Sequence, residues 1–154
     1  MKKATFAAGC FWHVEEAFAH LPGVVSTRVG YTGGHMDKPT YEDVCSDATG
    51  HAEAVEVTYD PSKTKYEKLL EMFWENHDPT TPNRQGPDIG SQYRSAIFFH
   101  DEEQKAAAMK SRDEVQKKLG KKVVTEIVKA GAFYQAEEYH QKYLEKRGLK
   151  TCPK

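Results

Sequence analysis

The order of elements in this sequence predicts an α+β (α/β) domain of two layers, with helices covering an antiparallel or mixed sheet. Segments in which every second residue is apolar interleave with segments whose apolar residues recur every three or four positions. The strand-like segments alternate, as strands do when their two faces differ in environment. The 154 residues contain no repeat, low-complexity tract or linker that would divide them, and suffice for one domain with a real core.

Lys2–Ala8 reads as a first strand, with Ala4, Phe6 and Ala8 on one face. Cys10–His20 reads as a helix, because Phe11, Val14, Ala17 and Phe18 share a face, and Leu21-Pro22-Gly23 stops it. Val25, Thr27, Val29 and Tyr31 alternate along a strand from Val24 to Tyr31. Thr32–Thr49, rich in Gly, Asp and Thr, reads as irregular. Ala52–Tyr59 is a strand, Asp60-Pro61-Ser62 a capped turn, and Ser62–Asn76 a helix with Tyr66, Leu69, Leu70, Phe73 and Trp74 on its apolar stripe. That stripe reads as core. His77–Tyr93 is a long polar loop of the kind that often carries function. Ser95–Phe99 is a strand, Asp101 caps a helix reaching about Leu119, Val123–Val128 is a strand, and Ala136–Lys146 a short helix. Residues 147–154 form a mobile polar tail carrying Cys152.

Net charge is −1, from 22 basic and 23 acidic residues, so neither nucleic acid nor an anionic membrane is an expected partner. No apolar run approaches the roughly 18 residues of a membrane span. The basic N-terminus fails as a signal peptide, because its apolar stretch is short and runs into Trp12-His13 and Glu15-Glu16. A cytoplasmic monomer is expected. The three cysteines, Cys10, Cys45 and Cys152, form neither a secreted disulfide framework nor a CxxC pair.

Gly9-Cys10-Phe11-Trp12 places a cysteine where a strand gives way to a helix. Unpaired N–H groups and the dipole at a helix start favour a thiolate, and two aromatics beside it can wall an apolar pocket. Position alone leaves an inert, packed cysteine equally open. Glu53 begins an otherwise apolar strand; it reads either as a solvated edge carboxylate or as a buried proton donor. His51-x-Glu53 echoes half of the zinc deaminase signature, but Pro-Cys-x-x-Cys is absent, and no metal site is expected. Tyr31, Tyr41 and Tyr93 offer hydroxyls on loop-flanked positions, and Arg84 and Arg94 are near enough in sequence to pair with Asp88. Cys152 and Cys45 are the two candidates to resolve an oxidised Cys10.

Together these segments resemble the type A peptide methionine sulfoxide reductases. The matching runs are Gly9-Cys10-Phe11-Trp12, residues 23–31, Gly33-Gly34, residues 39–45, and Thr49-Gly50-His51-Ala52-Glu53-Ala54-Val55. Residues 77–81, Asp88-Ile89-Gly90-Ser91-Gln92-Tyr93-Arg94-Ser95 and Ala136-Glu137-Glu138-Tyr139-His140-Gln141 complete the set. They cover nearly the whole chain in order.

The resemblance implies a ferredoxin-like core with long irregular loops and reduction of the S epimer of methionine sulfoxide, free or in oxidised proteins. It implies that Cys10 attacks the sulfoxide sulfur, that Phe11 and Trp12 hold the methyl group, and that Glu53, Tyr41 and Tyr93 bind the oxygen, with Glu53 as general acid. Asp88 is expected to support the backbone near the site, and His51 to lie nearby without moving a proton. Cys152 is expected to resolve the Cys10 sulfenic acid as a disulfide, with thioredoxin as reductant and no bound cofactor. Cys45 ranks below Cys152 in that role. His13 stands where the family usually has Gly; a neutral packing role competes with one in which its imidazolium stabilises the thiolate. A thiol peroxidase, or a metal-binding or redox-sensing module, is the alternative.

Overall fold

The computed structural model describes residues 1–46 and 49–146. Six strands form one mixed sheet in the order β7-β6-β1-β3-β2-β8. They are β1 (Lys2–Ala8), β2 (Val24–Thr32), β3 (Ala52–Tyr59), β6 (Ser95–Phe99), β7 (Glu126–Lys129) and β8 (Phe133–Gln135). A two-stranded hairpin, β4 (Arg84–Gln85) and β5 (Asp88–Ile89), stands apart from the sheet. The helices are α1 (Phe11–Ala19), α2 (Tyr41–Cys45), α3 (Tyr66–Glu75), α4 (Glu102–Leu119) and α5 (Tyr143–Lys146).

The inner four strands run β6-β1-β3-β2, all antiparallel, with α1 and α3 as the crossovers; this is the expected ferredoxin-like core. β7 adds in parallel to β6, and β8 antiparallel to β2. On one sheet face Ala4, Phe6, Val29, Tyr31, Val55, Val57 and Ile97 pack with Phe11, Val14, Phe18, Leu69, Leu70 and Phe73 of the helices. The Phe6 ring stacks on Phe18 at 5.0 Å, joining β1 to α1. The opposite face carries the small residues Ala7, Ala52, Ala54 and Ala96 around Phe98. Alternation therefore puts Glu53 on the helix side of β3, two residues before Val55.

Several sequence boundaries move, each for a physical reason. The helix expected from Ser62 begins at Tyr66, because the Asp60 carboxylate accepts both the N–H and the hydroxyl of Ser62 and holds a turn there. β7 starts at Glu126 rather than Val123, because the Val123 and Val124 N–H groups donate to Gln116 and to the Pro79 carbonyl. The expected helix over Ala136–Lys146 is broken. A single 3₁₀ turn covers Glu138–His140, Lys142 is left-handed at φ 55°, and α5 begins after it. Long-range bonds hold this segment instead: the Glu15 side chain accepts the Lys142 N–H, and the segment's own Gln141 amide pairs with both N–H and C=O of Val29 in β2. The helix α2 arises where the sequence reads as irregular, and β8 in a stretch to which the sequence reading assigns no element. A Thr40/Asp43 capping box starts α2.

Candidate active site

The site is built where β1 ends. Gly9 has φ +95°, and a Cβ there would lie 2.9 Å from the Gln85 side chain of the β4–β5 hairpin, so only glycine makes this turn without strain. Cys10 follows as the N-cap of α1, its carbonyl accepting the N–H groups of His13 and Val14. Its thiol thus sits at the positive end of a nine-residue helix, partly open to solvent, a position that favours the thiolate.

Glu53 reaches the same helix end from the neighbouring strand. Its Oε1 accepts the N–H of Phe11, the residue after Cys10, at 3.2 Å, and the side chain is only 1% exposed. The carboxyl and the thiol are therefore held on adjacent residues of one helix start, by two rigid elements. Tyr31 stands directly opposite Glu53 in the β2–β3 register.

Aromatic rings enclose this junction. Phe11 is fully buried, with ring centroids of His140, Tyr31 and Tyr41 at 5.2, 5.7 and 6.5 Å. Trp12 stacks on Tyr143 at 3.7 Å and donates its indole N–H to Nδ1 of His140 at 2.8 Å. Burial pushes the His140 pKa down against the opposing pull of Glu137, which suits the neutral imidazole this bond requires. The Tyr41 and Tyr93 hydroxyls are pushed well above the usual phenol range, first by burial and then by hydrogen bonding to Cys45 for Tyr41 and by the charge of Glu53 for Tyr93. Both remain neutral donors near Glu53 at physiological pH.

Cys10, Phe11, Trp12, Tyr41, Glu53 and Tyr93 are thus brought together. Asp88 lies on β5 at the edge of the group, close enough for its charge to raise the Tyr93 hydroxyl. His51 faces elsewhere. Its Nδ1 accepts the Gly34 N–H and its Nε2 donates to the Met36 carbonyl, and it lines a cavity with Phe98 and Tyr134 on the opposite sheet face. Arg94 does not pair with Asp88; it bonds Glu126 at 3.1 Å and the Ser91 carbonyl, because the turn at Ser91–Tyr93 points it toward β7. Cys45 is exposed at the end of α2, and desolvation of its sulfur pushes the thiol pKa up against the Tyr41 hydroxyl bond. Cys152 lies outside the described residues. His140, Tyr143 and Glu137 are site residues that sequence reasoning passed over. For Glu137 and His140 the available signal was the run Ala136–Gln141, which resembles the family pattern; Tyr143 lies beyond it.

The model of the peptide methionine sulfoxide reductase family matches residues 2–153. This chain belongs to that family. It is 61% identical over 151 residues to a peptide methionine sulfoxide reductase MsrA of Methanosarcina acetivorans, covering 97% of this chain and 80% of that one. Among solved structures it is similar to methionine sulfoxide reductase A of Corynebacterium diphtheriae, with a TM-score of 0.94 and 39% identity, covering 99% of this chain and 77% of that chain. It is also similar to Mxr1 of Saccharomyces cerevisiae in complex with Trx2, with a TM-score of 0.66 and 28% identity, covering 99% of this chain and 86% of that chain. The family's fold and thiol-dependent reduction of methionine sulfoxide agree with a thiol, a carboxyl and a cluster of aromatic rings converging on one helix start.

Proposed function

We propose that this protein reduces methionine S-sulfoxide, free and in oxidised proteins, through Cys10, and that a thioredoxin restores it. The observation that carries the reading is the bond from the Phe11 N–H to Glu53, which holds an acid beside the Cys10 thiol at the start of α1.

A methyl sulfoxide carries a polar oxygen and an apolar methyl on one sulfur. The Phe11 and Trp12 rings suit the methyl; the hydroxyls of Tyr41 and Tyr93 suit the oxygen. As the Cys10 thiolate attacks the sulfur, charge builds on that oxygen. Glu53 donates a proton to it; burial of this carboxyl favours the protonated acid, while the Phe11 N–H favours the anion. Neutral tyrosine donors stabilise the same charge, the Tyr41 hydroxyl exchanging its bond to Cys45 for one to the sulfoxide oxygen. The protonated oxygen passes as hydroxyl from the substrate sulfur to the Cys10 sulfur while the bond between the two sulfurs breaks, so the substrate leaves as methionine and Cys10 is left as a sulfenic acid. Cys152 then condenses with it, releasing water and forming the Cys10–Cys152 disulfide, which a thioredoxin dithiol reduces. Asp88 supports the site from the hairpin, and His51 steadies the loop at Gly34–Met36. The chain acts as a single-domain cytoplasmic monomer without a bound cofactor. Among the described residues no helix is long and apolar enough to cross a membrane.

The test is NADPH consumption coupled through thioredoxin and its reductase, with separated S and R epimers of a methionine sulfoxide substrate. Turnover of the S epimer alone is expected. No turnover of that epimer, even with dithiothreitol in place of thioredoxin, would overturn the assignment.

A further inference from the structure

Glu137 lies between β8 and the turn at Glu138–His140, outside the sequence elements that supply the thiol, the acid and the oxygen-binding hydroxyls. Its carboxylate nevertheless reaches into the wall of the site. One oxygen accepts the Tyr31 hydroxyl at 3.0 Å, and the other accepts the backbone N–H of Tyr41 at 3.1 Å. The first partner belongs to the sheet and is fully buried opposite Glu53. The second opens α2.

A five-residue helix has almost no stability of its own and takes its position from what it is tied to. The capping box of α2 is internal to it, pairing Thr40 with Asp43. The bond from the Tyr41 N–H to Glu137 is different: it ties the first residue of α2 to a segment that is itself held on β2, where the Gln141 amide engages Val29. One carboxylate thereby joins three elements, and the two tyrosine rings it fixes both lie against Phe11. Burial pushes the Glu137 pKa up, but hydrogen bonds from backbone N–H groups, including that of Tyr41, and from the Tyr31 hydroxyl hold it below the usual carboxylate range. It is therefore an anion able to accept both bonds at neutral pH.

We infer that Glu137 is a positioning residue for sulfoxide reduction: by binding Tyr31 and the start of α2 at once, it sets the Tyr41 hydroxyl beside Glu53 and keeps both tyrosine rings against Phe11. This rests on the reading of Tyr41 as an oxygen-binding group given above.

The experiment measures kcat and KM for the S-sulfoxide of N-acetylmethionine methyl ester, with dithiothreitol as reductant so that recycling through the tail does not limit turnover. The proteins are wild type, Glu137→Gln, Glu137→Asp, Tyr41→Phe and the Glu137→Gln/Tyr41→Phe double variant, each with its melting curve. Glu137→Gln is expected to lower kcat/KM about tenfold through misplacement of the hydroxyl, while the rate of Cys10 alkylation by iodoacetamide stays within about twofold. In the Tyr41→Phe background the same change should cost less than about threefold, since the group it positions is gone. Wild-type activity of Glu137→Gln alongside an impaired Tyr41→Phe would overturn the inference, as would an undiminished penalty in the Tyr41→Phe background. An Asp variant as active as wild type would overturn it too, because the shorter side chain does not span both groups. A fully active Tyr41→Phe would instead bring down the reading of that hydroxyl, and the positioning role with it.

Discussion

Replacing Glu53 by Gln separates what this side chain holds from what it does. A Gln carbonyl can still accept the Phe11 N–H now bound at 3.2 Å, so the start of α1 keeps its anchor. Exchanging a carboxyl acceptor for an amide one changes such a bond by about 1 kcal/mol, and the melting temperature should move little. The proton donor is lost outright. Glu53 is 1% exposed, so bulk water has poor access to replace it at the developing oxyanion. General acids contribute about 10²- to 10⁴-fold in rate, equivalent to roughly 3–5 kcal/mol of barrier. The assay is a quenched single turnover with enzyme in excess and no reductant, reading methionine released from the S-sulfoxide. The rate at pH 7 should fall at least about a hundredfold, and the limb on which wild-type activity declines with rising pH should disappear, because that limb reports deprotonation of the acid. A folded variant slowed by less than about tenfold would refute the assignment of the proton to Glu53.

Gly9→Ala forces a side chain into a φ of +95° and against Gln85, at a cost of about 1–3 kcal/mol; displacement of Cys10 should also lower kcat/KM at least about tenfold, read by melting and by steady-state turnover. His77 is pushed down to about 4 by burial, despite its bond to the Phe73 carbonyl. Its folded pKa is below the unfolded value, so its contribution is present above about pH 6.5 and is lost as pH falls toward 4. Urea unfolding at pH 7 and pH 4.5 should differ by about 2 kcal/mol more in wild type than in His77→Gln, a figure reduced from the full shift because the ring is partly exposed. Cys152→Ser should keep turnover with dithiothreitol and lose it with thioredoxin; retention with thioredoxin would pass the resolving role to Cys45.

The two-layer α+β core was legible because alternation and helical spacing answer to the same buried face; its ferredoxin-like connections were legible only through the family resemblance. Phe6, Val55 and Val57 share that face with Phe18 and Phe73, and each shows in its own segment. Cys10 was legible as a junction residue and Glu53 as a carboxyl in an apolar strand. What resisted reading depends on bonds between distant residues. Nothing local announces that Glu15, in the middle of a helix, accepts the Lys142 N–H, or that this bond helps break a helix expected near position 142. Glu137 looks like one of two ordinary acidic residues until Tyr31 and Tyr41 are brought to it. His51 sits in a run that matches the family, yet its two ring nitrogens hold a loop on the far face. A match of sequence placed it near the chemistry; its hydrogen bonds do not.

The pairing of Gln141 with Val29 has a consequence beyond the site. β8 pairs β2 from Gly30 to Thr32 and the next residue, Ala136, still donates its N–H to the Val29 carbonyl, so the Val29 N–H is where the outer edge of the sheet would begin to lie open. Open strand edges recruit other chains. Here a carboxamide, offering one donor and one acceptor like a peptide group, takes the N–H and C=O of Val29 together. It takes the open N–H as a neighbouring strand would and shares the carbonyl with Ala136, but a side chain does not run on along the edge, so pairing stops there. Unpaired strands of other polypeptides would find partners along an open edge. At this point beside its own chemistry, the protein offers them no template.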